Sequence, residues 1–130
     1  MERFRDAAKW QQEAGYVRAT RLRSRVEVSG TTSSAADGSA LFPGDTYLQT
    51  LHALKLSLDA VGALGGAAMD VVRSRVYLAP GANWEHAARA HGEVFAECPP
   101  ANTMLFVSAL VGEGLLVEVE LAAELSEADR

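Results

Sequence analysis

The sequence predicts a single α+β domain, a mixed sheet with two helices on one face. Three observations lead there. The chain has 130 residues, the length of one domain and enough to bury roughly two thirds of its unfolded surface. Hydrophobic residues make up 48% and charged residues 22%, an ordinary globular balance that excludes wholesale disorder. Runs of period two and runs of helical period follow one another in the order β-β-α-β-α-β-β, only partly alternating.

Each element has its own signal. In residues 1–14, Phe4, Ala7, Ala8 and Trp10–Gln11 are loosely helical, which suggests a short helix or docked arm ended by Gly15. Residues 16–23 alternate, with Tyr16, Arg18, Thr20 and Leu22 on one face. Residues 25–30 alternate again through Val26 and Val28. Two such runs joined by a short turn read as a β-hairpin. The Ser-, Thr-, Gly- and Pro-rich stretch 31–45 reads as a long surface loop able to cover a pocket. In 46–62, Leu48, Leu51, Leu54, Leu58 and Val61 recur at three- and four-residue spacing. They predict one apolar helix face, capped by Asp45 and ended by Gly62, Gly65 and Gly66. Residues 70–79 form a Val- and Tyr-containing strand, closed by Pro80-Gly81. Residues 83–96 give a second helix, capped by Asn83. Its packing face carries Trp84, Ala87, Ala88, His91, Val94 and Phe95, and Pro99-Pro100 forbids continuation. Residues 102–110 and 115–123 are two β-rich runs. The glycines of Val111-Gly112-Glu113-Gly114 suit a hairpin between them. The domain proper is expected over 15–124 and an acidic tail over 125–130.

The last strand sets Val117, Val119 and Leu121 opposite Leu116, Glu118, Glu120 and Ala122, and the strand before it is apolar on both sides. Two helices cover only one face. A large apolar second face in water is disfavoured, so self-association with closed symmetry is expected.

Composition narrows the function classes. The net charge is −5, yet seven of the twelve Lys/Arg and only three of the seventeen acids lie in residues 1–25. The densest cluster is Arg18, Arg21, Arg23 and Arg25. It reads as a solvated strand face, because no nucleic-acid motif accompanies it and the whole chain is acidic; nucleic acid is not an expected partner. The single cysteine, Cys98, allows no internal disulfide and excludes a Cys-rich zinc module. It fits a reducing cytoplasm. No apolar stretch approaches the roughly 18 residues of a membrane helix, and no apolar run follows the first charges, so no secretory signal is read. There is no phosphate loop, dinucleotide fingerprint or nucleophile elbow. His86 and His91, five apart, share a helix face poorly, so no metal or other cofactor is expected. Cys98 has no evident base beside it and reads as an inert, half-buried thiol. His91 reads as a core or rim histidine.

A set of segments carries a resemblance. They are Gly15-Tyr16-Val17-Arg18, Val28-Ser29-Gly30-Thr31-Thr32, Gly44-Asp45 with Gln49-Thr50-Leu51, and Asp70-Val71-Val72 with Arg75-Val76-Tyr77-Leu78. Trp84 with His91 and Phe95, Pro100-Ala101-Asn102-Thr103 and Leu116-Val117-Glu118-Val119-Glu120 complete it. In this order and spacing the chain resembles the Rid, or YjgF-like, family from about residue 15 to 124. The resemblance implies a chorismate-mutase-like fold, a homotrimer with the sheets packed into a central barrel, and ligand clefts between subunits. The best-known members hydrolyse reactive enamines and imines to a 2-oxo acid and ammonia.

The resemblance also implies a site. Glu118 matches a carboxylate beside a catalytic water, with Glu120 on the same strand face. Tyr16, Gly30 with Thr31 beside it, and Met104 match pocket positions. Asn102 stands where the family places an arginine that grips a substrate carboxylate. Asparagine can hydrogen-bond but carries no charge, so a less charged substrate is expected. The chain therefore reads as a cytoplasmic homotrimeric enzyme, an imine or enamine deaminase acting on a small metabolite, with Glu118 moving a proton or polarising water. The alternatives are a non-catalytic metabolite-binding trimer and, more weakly, a ribonuclease, against which the net charge and the absent catalytic histidine pair both count.

Overall fold

The computed structural model describes residues 1–126. A six-stranded sheet carries its helices as anticipated. The strands are β1 (Glu2–Phe4), β2 (Ala19–Leu22), β3 (Arg25–Thr32), β4 (Val71–Leu78), β5 (Ala101–Phe106) and β6 (Val117–Glu124). The helices are α1 (Lys9–Ala14), α2 (Thr46–Ala63) and α3 (Trp84–Val94). The sheet order is β1-β2-β3-β6-β4-β5, with β4 and β5 parallel and the other neighbours antiparallel.

Two features go beyond the sequence pattern. Residues 2–4 pair with β2, so the N-terminal arm extends the sheet before turning into α1. The last two strands do not form the hairpin expected around Gly112 and Gly114. Instead β6 inserts between β3 and β4, and β5 lies on the far edge. The reason is the crossover through α3. A strand–helix–strand unit makes β5 parallel to β4 and leaves β4's other edge open, and β6 fills it.

Val26, Val28, Val76, Leu78, Val117, Val119, Leu121 and Ala123 turn inward and are buried with Leu54, Val61 and Phe95. Asp45 and Asn83 cap α2 and α3 as read, accepting from the Leu48 and His86 amides. The buried stripe of α2 keeps Leu54 and Val61 of the expected face, with Leu58 packed beside them, but is shifted toward small and hydroxylated residues. It runs through Thr46, Gln49, Thr50, Ala53, Leu54, Ser57, Ala60 and Val61, while Leu48 is exposed. Small side chains let the helix approach the sheet, and Thr50 and Ser57 satisfy their hydroxyls on the carbonyls four residues back. Gln49 is fully buried. Its amide donates to the Phe42 and Gly114 carbonyls and its oxygen accepts from the Leu116 amide. It ties the 31–45 loop to the entry of β6. Trp84, expected to pack on the sheet, is 54% exposed in the first turn of α3; Phe95 carries that packing.

The outer sheet face is also different from expectation. It is not a continuous apolar surface. Tyr77 donates to Glu120, Arg73 to Thr103 at 2.7 Å, and Arg25 pairs with Glu27 and Glu124. Charged and hydroxyl side chains occupy most of the outward positions, with exposed Leu22 and Leu105 among them. Leu125 is buried and its amide donates to Ser24. Of the tail expected to fray, residues 127–130 lie outside the described residues. No described helix is long and apolar enough to cross a membrane.

Candidate functional site

A cleft of about 540 Å3 opens where α1, the start of β2, the bulge of β3 and the outer side of β6 meet. It brings together Tyr16, Gly30 and Glu118, three of the residues singled out from sequence. It also takes in Asp6, Trp10 and Arg18. Ser34, Ala35, Ala36 and Gly38 of the 31–45 loop line another wall.

The position of Glu118 follows from strand parity and one irregularity. Alternation on β6 turns Glu118 away from the helices. Opposite it, the pairing of β3 slips between Val28 and Thr31, a bulge of the kind that re-aims side chains. Gly30 sits in that bulge. A Cβ there would lie 2.8 Å from Glu118 Oε2 and 3.1 Å from its Cδ, so the glycine makes the room that the carboxyl fills. Burial pushes the Glu118 pKa up from the ordinary carboxylate range. The charge of Glu120 adds to this, and Arg18 pulls the other way. The Glu118 carboxyl accepts no hydrogen bond from a described residue. A half-buried carboxyl with a raised pKa and free oxygens is suited to give or take a proton.

Arg18 is the residue that sequence reading misplaced. It is only 6% exposed, whereas the pattern of nearby arginines suggested a solvated face. Its Nε donates to Asp6 Oδ2 at 3.0 Å, and its Nη1 donates to Thr31 Oγ1 at 2.8 Å and to the Gly30 carbonyl at 3.3 Å. It therefore fixes the bulge that seats Glu118. Burial alone would raise the Asp6 pKa; hydrogen bonds from Arg18 and Gln11 and the charge of Arg18 outweigh it and leave it lowered. Nothing in the local pattern marked Asp6, because its partner lies 12 residues on.

The remaining expected positions lie elsewhere. Thr31 is fully buried and does not line the cleft. Its hydroxyl accepts from Arg18 and donates to the Ser29 carbonyl at 2.8 Å. The bulge shifts the parity, and Thr32 faces the cleft in its place. Asn102 and Met104 are on β5, at the opposite edge of the sheet. Met104 packs against the core. Asn102 is exposed, and its Nδ2 lies 3.0 Å from Ser74 Oγ. Ser74 Oγ lies 2.7 Å from His91 Nε2. Burial lowers the His91 pKa, which favours the neutral ring. Cys98 packs beside the core. Among the described residues no cluster of His, Cys, Asp or Glu could hold a metal ion.

Comparison with known proteins gives this geometry a lineage. The family model described as endoribonuclease L-PSP matches residues 7–125, which is nearly the whole chain. The chain belongs to this family, the YjgF-like or Rid family. It is 34% identical over 124 residues to the Streptomyces coelicolor protein SCO2049, covering 95% of this chain and 91% of that one. It is 29% identical over 112 residues to the 3-aminoacrylate deaminase RutC of Acinetobacter baylyi, covering 86% and 88%. The crystal structure of Rv2704 from Mycobacterium tuberculosis superposes with a TM-score of 0.85 at 32% identity, over 95% of this chain and 98% of that one. The YjgF gene product of E. coli shares the fold, with a TM-score of 0.81 at 19% identity over 95% and 98%.

Proposed function

We propose that the chain is a homotrimeric hydrolase of imines or enamines, with Glu118 as its proton-transfer group. The observation that carries this is the state of Glu118: a carboxyl seated in a cleft against Gly30, with a raised pKa and no bond to a described residue. Family membership supports the reaction class, and so does the likeness to a deaminase of 3-aminoacrylate. In the reaction, protonated Glu118 gives its proton to the imine nitrogen or the enamine carbon, forming an iminium. The carboxylate left behind takes a proton from water as the water oxygen bonds to the iminium carbon. A second transfer protonates the amino group of the carbinolamine. As the C–N bond breaks, the carbinolamine hydroxyl gives its proton back to the Glu118 carboxylate, and ammonia and a carbonyl compound leave. Tyr16, on the cleft rim, orients substrate or water. The trimer brings β5 of a neighbour, with Asn102 and Met104, to the open side of the cleft. The exposed Leu105 and Phe106 of β5 are in keeping with that burial.

The test is ammonia release from imines generated in situ by an amino-acid oxidase. Wild-type protein is expected to accelerate release over the buffer rate, and Glu118→Gln to lose about 100-fold or more while light scattering still reports a trimer. Ligand-induced stabilisation without product would instead make the chain a binding protein. A ribonuclease reading gains nothing from the cleft, since no described histidine lines it.

A further inference from the structure

We propose that Asn102 offers the bound molecule a hydrogen-bond acceptor, its carboxamide oxygen, so that the group recognised there is a neutral N–H donor such as a carboxamide, and not a carboxylate. The proposal deepens the reading above and rests on it, because it takes Asn102 to face the intersubunit site.

The orientation of the carboxamide follows from its neighbours. Ser74 and Asn102 are in register on the parallel strands β4 and β5. Asn102 Nδ2 lies 3.0 Å from Ser74 Oγ and 3.4 Å from the Ser74 carbonyl oxygen. A backbone carbonyl only accepts. Reversing the carboxamide would set two carbonyl oxygens against each other, so the NH2 group faces inward.

The next link accommodates that orientation. Ser74 is fully buried and has one hydroxyl proton. Its Oγ lies 2.7 Å from His91 Nε2. Burial lowers the His91 pKa, which favours the neutral ring, and Phe95 lies against it at a 45° tilt and a centroid distance of 4.8 Å. Because Asn102 Nδ2 donates to Ser74 Oγ, the hydroxyl proton is left to donate to Nε2, which corresponds to the tautomer with its proton on Nδ1. The chain Asn102 to Ser74 to His91 then runs donor to acceptor without conflict.

The outward end is left open. Asn102 Oδ1 accepts no hydrogen bond from a described residue, and the side chain is exposed. A carboxylate placed against it would meet oxygen against oxygen. A carboxamide, hydroxyl or amine N–H would complete the chain. Ser74 and His91 are positioning residues here; Asn102 sets the specificity.

The experiment compares two probes by calorimetry on the assembled full-length protein, 2-oxobutanoate and 2-oxobutanamide. Binding is read without turnover, so it stands apart from the hydrolysis test. Wild type is expected to bind the amide about tenfold more tightly, the worth of one hydrogen bond to a well-placed acceptor. Asn102→Leu removes the acceptor and should bring the ratio near one. Asn102→Arg should favour the acid. Ser74→Ala frees the carboxamide to turn and should also level the ratio; should it fail to fold, the exposed Asn102→Leu change still decides. Equal or tighter binding of the acid by wild type overturns the proposal. So does an amide preference that survives Asn102→Leu, or binding of neither probe. Glu118-dependent hydrolysis alongside any of these results would leave the reaction standing and refute only the role of Asn102.

Discussion

Replacing Gly30 by alanine would disturb the site through one contact. The new Cβ would lie 2.8 Å from Glu118 Oε2, where ordinary contact begins at 3.4 Å. The carboxyl must therefore yield by about 0.6 Å, the difference between those distances. It is the free end of a flexible side chain, so a rotation of about 30° is enough, at about 0.5–1.5 kcal/mol. Alanine returns about 0.4–1 kcal/mol by stiffening the unfolded chain. Gly30 does not adopt the left-handed backbone that would penalise a side chain. Net stability should change by less than about 1 kcal/mol, read from the urea midpoint. The rate should change much more. A misplacement of this size at a proton-transfer group costs about 10- to 100-fold, read as kcat/KM for ammonia release. The double variant Gly30→Ala/Glu118→Gln should be no slower than Glu118→Gln alone, because both act through one carboxyl. A Gly30→Ala protein that turns over at the wild-type rate, or a double variant that multiplies the two losses, would refute the reasoning.

Two further outcomes follow from charges in the same cleft. Glu118 has a folded pKa above its unfolded value near 4.5, so the folded state holds its proton longer than the unfolded chain does. Stability is then lost as pH rises from 4.5 through the raised folded value, and constant above it. Glu118→Gln should remove that loss and raise the melting temperature at neutral pH; an unchanged pH profile would contradict the burial argument. Asp6 behaves in the opposite sense. Its folded pKa is lowered, so its contribution is present above 3.8 and lost as pH falls through the folded value. Arg18→Met removes the ion pair and the bonds to Gly30 and Thr31. It should cost about 2–4 kcal/mol in urea unfolding and flatten this acid limb; a loss below about 0.5 kcal/mol would mean that Arg18 is not the clamp.

Much of the fold was legible because its signals are local. The capping roles of Asp45 and Asn83, the alternation through Val117, Val119 and Leu121, and the outward turn of Glu118 each depend on neighbours in sequence. What escaped depends on distant partners. The insertion of β6 between β3 and β4 is decided by which strand edge the α3 crossover leaves open, and no residue near Gly112 records that. The three-residue strand β1 is too short to show a period. Arg18 looks solvated until Asp6 folds back onto it from the N-terminal arm. Thr31, expected in the pocket beside Gly30, turns inward and Thr32 faces the cleft, because the bulge at Gly30 breaks the alternation of β3. The buried stripe of α2 adds small and hydroxylated residues to Leu54 and Val61, so a search for apolar spacing found two of its members and missed the rest.

The central claim is that burial raises the Glu118 pKa and so favours the protonated carboxyl that moves protons in the cleft. Its most direct test is a pH titration of the Glu118 carboxyl by carbon-13 NMR on the assembled protein, assigned with Glu118→Gln, beside ammonia release on the same sample. The account expects Glu118 to titrate above 4.5, with the inflection in rate at the same pH. A carboxyl that titrates at or below 4.5, or a rate profile unchanged in Glu118→Gln, would contradict it.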